Sequence, residues 1–350
     1  MGYRDQKTHP HDPRPLSPNL PLEGEGDALS RLANFSFVGD FYRNEVALIA
    51  LDWGTTSLRA YLLDKNGDTL EKKSAPLGIL KIPDQNFDIA FEETCGSWLN
   101  NGLQAAPILA SGMIGSRQGW LEAPYVPCPA SIEQLAKHLV SVTTKNGRHV
   151  VIVPGIKTIN SAGVPDVIRG EETQIFGALK VAISQQLFIL PGTHSKWVQV
   201  NDNRIEHFAT FMTGEVFAIL CEHSILGRTM NGDADDQAYF KQGFDYAMNE
   251  GVNGAGLLQQ LFSVRTLALF NRIPGEALHA YLSGLLIGSE ICGAEKMFKH
   301  ETSITIIAEP ALAQRYQRAL GYANISAAIA DEHVTAKGLF RLARAANLLQ

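Results

Sequence analysis

The sequence predicts an α/β protein in which two copies of one strand-rich domain face each other across a cleft. Three observations lead there. A continuous apolar segment, "VALIALDWG" (Val46–Gly54), is followed by segments that alternate around the turn signal Lys65-Asn66-Gly67-Asp68. The same order returns at "QLFILPGTHSKWVQVNDNRIEHFATF" (Gln186–Phe211). Each copy is then followed by further strands linked through helices, the layering expected of an α/β domain.

Taken in order, Val46–Gly54 reads as a central strand buried on both faces, and the segments around Asn66-Gly67 read as an antiparallel hairpin. Phe87–Asn100 reads as a helix, and "APILASGMIGS" (Ala106–Ser116) as a strand leading into a glycine-containing loop. Ser131 is a plausible N-cap for a helix to Val140, with Glu133 in its first turn. "HVVIVPG" (His149–Gly155) is another buried strand. "GEETQIFGALKVAIS" (Gly170–Ser184) is a helix whose two leading acids suit the positive end of its dipole. After the second hairpin, Glu215–Met297 is mostly helical, with Gly284 and Gly288 spaced for close helix packing. "SITIIAEPALAQRYQRAL" (Ser303–Leu320) is a strand and helix, and "TAKGLFRLARAANLL" (Thr335–Leu349) an amphipathic helix. The expected domains are 45–183 and 184–350.

Residues 1–44 differ in composition. "HPHDPRPLSPNLPLEGEG" is rich in proline and charge with little to bury, so a disordered leader is expected. It lacks the basic start, apolar middle and small-residue cleavage site of a secretory signal. The whole chain, 350 residues with 45% hydrophobic and 19% charged, has an ordinary globular composition. A net charge of −6 argues against a nucleic-acid partner. No apolar run reaches the roughly 18 residues needed to span a bilayer. Cys95, Cys128, Cys221 and Cys292 are far apart and form no CxxC pair, as in a reduced cytoplasmic protein.

The repeat carries the chemistry. Aligning Gly54 with Gly192 also superposes Thr55 on Thr193, Ser57 on Ser195 and Asp64 on Asp202, a constant offset of 138 residues. The shared kernel is Gly-Thr-x-Ser at a strand–turn–strand junction. Glycine lets backbone approach a ligand closely, and successive N–H groups in a tight turn bind anions. The hydroxyls of Thr55, Thr56, Ser57, Thr193 and Ser195 add neutral donors, while Arg59 and Lys196 add positive charge. Two such hairpins are suited to pinching a polyphosphate. Asp52 precedes Gly54 by two residues, where the second copy has Leu190. An acid beside phosphates calls for an intervening cation, so Asp52 is the candidate to hold Mg²⁺, through water. His194, inside the second turn, either touches phosphate or stabilises the turn. There is no G-x-x-x-x-G-K-[ST] loop, HExxH or paired CxxC, which closes the P-loop and transition-metal routes.

"LDWGTTSLRAYLLD" and "LPGTHSKW" resemble the two phosphate motifs of the actin, Hsp70 and sugar-kinase superfamily, whose domains are ribonuclease H-like (the actin-like ATPase fold). "SGMIGSRQGWLEAPYVPCPA", "VPGI", "VPDVIRGEETQIFGAL" and "ILPGTHSKWV" together resemble the narrower 2-dehydro-3-deoxygalactonokinase family. The resemblance runs from about Leu48 to the C-terminal helix. It implies an ATP- and Mg²⁺-dependent kinase acting on the 6-hydroxyl of 2-dehydro-3-deoxy-D-galactonate, in galactonate breakdown.

Such a kinase needs a carboxylate beside the accepting hydroxyl. "PDVIRGEETQIFG" offers Glu171, Glu172 and Asp166; the two glutamates have a purely structural alternative as complements of the helix dipole. The loop at Gly115, Ser116, Arg117 and Trp120 is the candidate for the sugar acid, Arg117 forking the carboxylate and Trp120 flanking the chain; the structural alternatives are a solvated arginine and a core tryptophan. Arg169, Arg228 and Arg265 are further candidates for the carboxylate. For adenosine, the resemblance points to the strand-to-helix turn at Ala308, Pro310 and Leu312, where alanine replaces the small glycine expected. "TFMTGE" (Thr210–Glu215) is another turn able to approach nucleotide or substrate. The expected partner is a small-molecule sugar acid, not nucleic acid or membrane, and the assembly state is left open to a homodimer. The rival readings are a kinase for another sugar or sugar acid, an ATP-regulated binding protein like actin or Hsp70, and a catalytically dead sugar sensor.

Overall fold

The computed structural model describes residues 45–232, 234–253, 256–298 and 303–349. The predicted leader lies outside them. The order begins β1 (Val46–Trp53), β2 (Leu58–Asp64), β3 (Thr69–Ala75), α1 (Phe87–Asn100), β4 (Ile108–Ser111), β5 (Tyr125–Pro127), α2 (Ile132–Ala136), β6 (Val140–Thr143), β7 (His149–Ile152), β8 (Gly155–Ile159), β9 (Pro165–Ile168) and α3 (Glu171–Ala178). It continues with β10 (Gln185–Leu190), β11 (Ser195–Asn201), β12 (Arg204–Phe211), α4 (Thr213–His223), α5 (Gln237–Asn253), α6 (Leu257–Leu269), α7 (Leu278–Ala294), β13 (Ser303–Ile306), α8 (Pro310–Tyr322), β14 (Ala328–Ile329) and α9 (Val334–Ala345).

The duplication is visible in the strand order. One sheet runs β3-β2-β1-β4-β7-β6 and another β12-β11-β10-β13-β14, with β5-β8-β9 forming a small third sheet. In each large sheet the first strand of the copy is central. β1 pairs antiparallel with β2 and parallel with β4; β10 pairs antiparallel with β11 and parallel with β13. Central strands are covered on both faces, which is why their sequences are continuously apolar. Leu48–Leu51 and Leu187–Ile189 are all 0% exposed.

The predicted hairpin turn forms with Gly67 at φ +87° and the Asp64 carboxylate accepting the backbone N–H groups of Asn66 and Asp68, at 2.8 Å each. Ser131 does cap its helix, in a capping box with Gln134, but that helix ends at Ala136 and Val140 begins a strand. The helix after Gly170 likewise stops at Ala178, because Leu179 turns to extended backbone (ψ 129°) before β10.

One core cluster joins the two sheets, uniting Leu48 and Leu63 with Phe188, Val198 and Phe208, and also with Leu339 and Leu342 of α9. The C-terminal helix therefore packs on the first sheet's side. A Cβ on Gly177 of α3 would lie 1.7 Å from the Val334 carbonyl oxygen, and one on Gly338 of α9 1.9 Å from that of Thr173. Glycine at both positions lets α3 and α9 touch backbone to backbone. Gly284 serves the same purpose between α7 and α5, where a Cβ would meet the Phe240 carbonyl oxygen at 1.9 Å.

Candidate active site

The ends of β1 and β4 and the start of α3 meet at two glycines with positive φ, Gly112 (+96°) and Gly170 (+103°). A Cβ on Gly112 would lie 2.8 Å from the Trp53 carbonyl oxygen, and one on Gly170 3.2 Å from Gly112 Cα. Both combine a left-handed conformation with close approach, which only glycine accommodates cheaply. Their consequence is to bring Asp52, Ser111, Glu171 and Glu172 together.

Asp52 sits opposite Arg59 in the β1–β2 ladder and beside Ser111 in the β1–β4 ladder. Arg59 Nη1 is 3.0 Å from Asp52 Oδ2. Burial pushes the Asp52 carboxyl up, Arg59 opposes it, and the charge of Glu171 raises it further, which places Glu171 within electrostatic reach. Beyond Asp52 the turn closes with Gly54 N–H donating to the Ser57 carbonyl at 2.9 Å, leaving Thr55 and Thr56 exposed and Ser57 half-buried.

The second turn differs. Thr193 and His194 are exposed beside half-buried Gly192, but Ser195 is 0% exposed. Its hydroxyl donates to Glu290 Oε1 at 2.7 Å. This corrects the expectation that both kernel serines face phosphate: the second one points into the core and anchors the turn. His194 Nε2 contacts Glu215 Oε2, whose own backbone N–H donates to the Thr193 carbonyl. The start of α4 is thus seated on the turn, with a Cβ on Gly214 only 2.4 Å from the Gly192 carbonyl oxygen.

Lys196 joins this half to the other. Its Nζ donates to the His194 carbonyl at 2.8 Å and lies 3.1 Å from Glu171 Oε1. Glu171 Oε2 accepts the Arg169 backbone N–H at 2.8 Å. Glu171 keeps 23% of its side chain exposed. Glu172 keeps none: its Oε2 accepts Gly170 N–H at 2.7 Å, and its Oε1 is 3.2 Å from Thr173 Oγ1 and 3.4 Å from Ser111 Oγ. Burial, then the charge of Glu171, raises the Glu172 carboxyl to about 7, against the hydrogen bonds from its own and the Gly170 backbone and the charge of Arg169.

The remaining predicted residues are placed as follows. Asp166 stands apart from the Glu171–Glu172 pair, since its two oxygens accept the Thr210 backbone N–H (2.8 Å) and hydroxyl (2.9 Å), latching β9 to β12. Gly115 and Ser116 are buried and Arg117 is exposed. Trp120 is half-buried, packed against Trp53, Phe87 and Phe91 at the edge of the first sheet's core with ring centroids 6.0–6.2 Å away. Arg169 lies beneath this loop, donating from Nη2 to the Ala123 carbonyl at 2.8 Å and stacking 4.3 Å over Tyr125. Its Nε and Nη1, and the Ser116 hydroxyl, are buried without a partner. Ala308 and Pro310 follow β13, parallel neighbour of β10, so their turn and Gly192 lie at the same end of one sheet, where ligands of open α/β sheets bind. Leu312 packs partly into the core beneath that turn. Arg228 lies in the short turn Gly227–Thr229 after α4 and Arg265 in α6, outside the elements that carry these groups.

Among the described residues no group of three or more His, Cys, Asp or Glu is arranged to hold a metal ion. A Mg²⁺ that keeps most of its waters needs only one or two carboxylates besides the phosphates, and partly exposed Asp52 fits that requirement. The hollows lined by Gln242, Thr266 and Arg272 and by Gln104, Asn146 and Arg148 share no residue with this cluster. No helix among the described residues is long and apolar enough to cross a membrane.

Sequence reasoning missed Ser111, Thr173 and Glu290. Ser111 and Thr173 carry no signal beyond lying next to Gly112 and Glu172. Glu290 had one: it is the sole acid in the apolar stretch "LHAYLSGLLIGSEICGA" of α7.

A family model described as 2-keto-3-deoxy-galactonokinase matches residues 52–342. The 2-dehydro-3-deoxygalactonokinase of Escherichia coli (strain K12) is 35% identical over 272 residues, 77% of this chain and 88% of that protein. A Rhizobium meliloti (strain 1021) protein assigned the same name is 34% identical over 300 residues, 85% of this chain and 96% of its own length. A crystal structure of a Sinorhizobium meliloti protein assigned to this kinase matches with a TM-score of 0.73 at 31% identity, covering 85% of this chain and 98% of that one. The match over most of the chain and the identity to these relatives show that the chain belongs to the 2-keto-3-deoxy-galactonokinase family.

Proposed function

We propose that the chain transfers the γ-phosphoryl group of ATP to the 6-hydroxyl of 2-dehydro-3-deoxy-D-galactonate, giving ADP and 2-dehydro-3-deoxy-6-phospho-D-galactonate. The observation that carries the reading is the position of Glu171. It is a partly exposed carboxylate between Lys196 of the second turn and Asp52 of the first motif. A γ-phosphate held by Lys196 would arrive beside the group that receives the acceptor's proton.

In this reading residues 45–183 hold the acceptor and carry the first phosphate motif, and 184–350 carry the second phosphate motif and the adenosine site. Thr55, Thr56, Thr193 and Lys196 bind the phosphates, and the turn at Ala308 and Pro310 lies beside adenosine. Phosphoryl transfer has little covalent chemistry for the protein to perform, so positioning and charge dominate. Mg²⁺, bound through water to Asp52, would supply neutralisation of phosphate charge. Glu171 orients the 6-hydroxyl and accepts its proton as the new O–P bond forms and the bond to ADP breaks. Glu172, enclosed by Ser111, Thr173 and Gly170, fixes the helix start that carries Glu171. Arg117, exposed on its loop, meets the acceptor carboxylate, with Arg169 bracing the loop from below. Four free cysteines suit a reducing cytoplasm.

The test is an ADP-release assay over a panel of keto-deoxy sugar acids and neutral sugars, with and without Mg²⁺. Turnover with 2-dehydro-3-deoxy-D-galactonate that requires Mg²⁺ and exceeds the rest of the panel is expected. Preference for another acceptor would move the chain to the rival sugar-kinase reading, and ATP hydrolysis indifferent to every acceptor would favour an ATP-regulated binding protein.

A further inference from the structure

Glu290 lies in α7, a helix of almost unbroken apolar sequence, and is 3% exposed. A lone carboxylate there is costly unless its oxygens are satisfied. They are. Oε1 accepts from Ser195 Oγ at 2.7 Å and Trp197 Nε1 at 2.8 Å, and Oε2 accepts from Tyr316 OH at 2.7 Å and from Thr213 Oγ1. An ionised carboxylate has about four acceptor positions, and these four neutral donors occupy them.

What the donors share is their position. Ser195 closes the second phosphate turn. Thr213 opens α4, whose Gly214 and Glu215 are pressed on Gly192 and Thr193. Tyr316 is on α8, the helix that leaves the Ala308–Pro310 turn. A core that required packing alone would be served as well by an apolar side chain. Only a multiple acceptor ties these three segments to one point.

We propose that Glu290 is a positioning residue for the nucleotide, holding the second phosphate turn, the start of α4 and the helix beside the adenosine turn as one unit. The proposal rests on the reading that this half of the chain binds ATP. Among the described residues, none of the acceptor half organised by Gly112 and Gly170 hydrogen-bonds Glu290. Weakening the unit therefore loosens the nucleotide and spares the sugar acid.

The experiment titrates ADP and the sugar acid separately into wild type, Glu290→Gln and Tyr316→Phe by calorimetry, with a melting curve for each. The glutamine keeps an acceptor for Ser195 and Trp197 and presents an amide donor to two hydroxyls that can reverse, so Glu290→Gln folds. ADP should bind about tenfold more weakly to it, with sugar-acid affinity within about twofold of wild type. Tyr316→Phe removes one donor, is read by the same criterion should the glutamine variant not fold, and gives a smaller loss of the same selectivity. Equal weakening of both ligands, or ADP affinity within about twofold of wild type in both variants, would overturn the proposal. Failure of the kinase reading has another signature. A wild type that binds ADP but phosphorylates no sugar acid leaves the ADP comparison intact, whereas one that binds no ADP ends both.

Discussion

Lys196 Nζ and Glu171 Oε1 lie 3.1 Å apart, and this ion pair joins the turn of the second repeat to the helix start of the first. Each side chain has a second hold on its own segment, Lys196 on the His194 carbonyl and Glu171 on the Arg169 N–H. The pair is consequently preset. In the proposed reading, arrival of a triphosphate would give Lys196 a more highly charged partner and leave Glu171 to face the acceptor hydroxyl.

Glu171→Gln should lower kcat by about 10²–10⁴, the usual worth of a positioned general base, with acceptor KM changed little. Steady-state kinetics of ADP release measure it. Asp166→Asn is the informative contrast. Because the Asp166 carboxylate receives two hydrogen bonds from Thr210, its loss should lower the melting temperature and leave kcat within about tenfold. The reverse pattern would transfer the role of base to Asp166.

The elevated Glu172 carboxyl has a signature in stability. In the folded chain it keeps its proton to about pH 7, whereas in the unfolded chain it releases it near the ordinary 4.5. Between those values the folded state binds the extra proton, so this group's contribution falls as pH rises from about 4.5 to about 7 and is flat above. Glu172→Gln abolishes that dependence. Its stability relative to wild type should rise across this window by an amount on the order of 3 kcal/mol, read from denaturant curves at pH 5 and pH 8.

The contact of α3 with α9 predicts a sharp positional effect of a single methyl. Gly338→Ala places a Cβ 1.9 Å from the Thr173 carbonyl oxygen and should destabilise by roughly 1–3 kcal/mol or more, with activity lost alongside because α3 carries Glu171. Gly321→Ala in α8 meets nothing within 4 Å and should be neutral or stabilise by up to about 1 kcal/mol. Thermal unfolding of the two variants side by side decides the point.

Arg117 is the exposed cation of the Gly115–Trp120 loop. Arg117→Ala should raise acceptor KM by about tenfold or more and leave ATP KM unchanged, as expected when a charge-assisted hydrogen bond to substrate is lost. The loss should vanish when a neutral sugar without a carboxylate is the acceptor.

Much of this arrangement was legible because it is periodic or local. The buried strands announced themselves as continuous apolar runs, and the constant offset between Gly54 and Gly192 identified the repeat before any sheet order was known. Side-chain direction was not legible. Ser57 and Ser195 occupy the same place in the kernel, yet Ser57 is half-buried while Ser195 turns inward to Glu290 of α7. The contacts of Trp120 were not legible either, since the three aromatic side chains that hold one side of its half-buried ring, Trp53, Phe87 and Phe91, are distant in sequence. Helix ends were also misplaced after Ala136 and Ala178, where amphipathic spacing continues but the backbone must turn into the next strand. These are long-range effects, and a local pattern does not carry them.

The central claim is that the two turns grip one triphosphate with Glu171 between them. A crystal structure of the chain with a non-hydrolysable ATP analogue, Mg²⁺ and the sugar acid tests it most directly. The account predicts β- and γ-phosphates between Thr55-Thr56 and Thr193, Lys196 on a phosphate oxygen, and the acceptor's 6-hydroxyl within hydrogen-bond distance of Glu171. A nucleotide seated away from either turn, or an acceptor hydroxyl held by a different carboxylate, would contradict it.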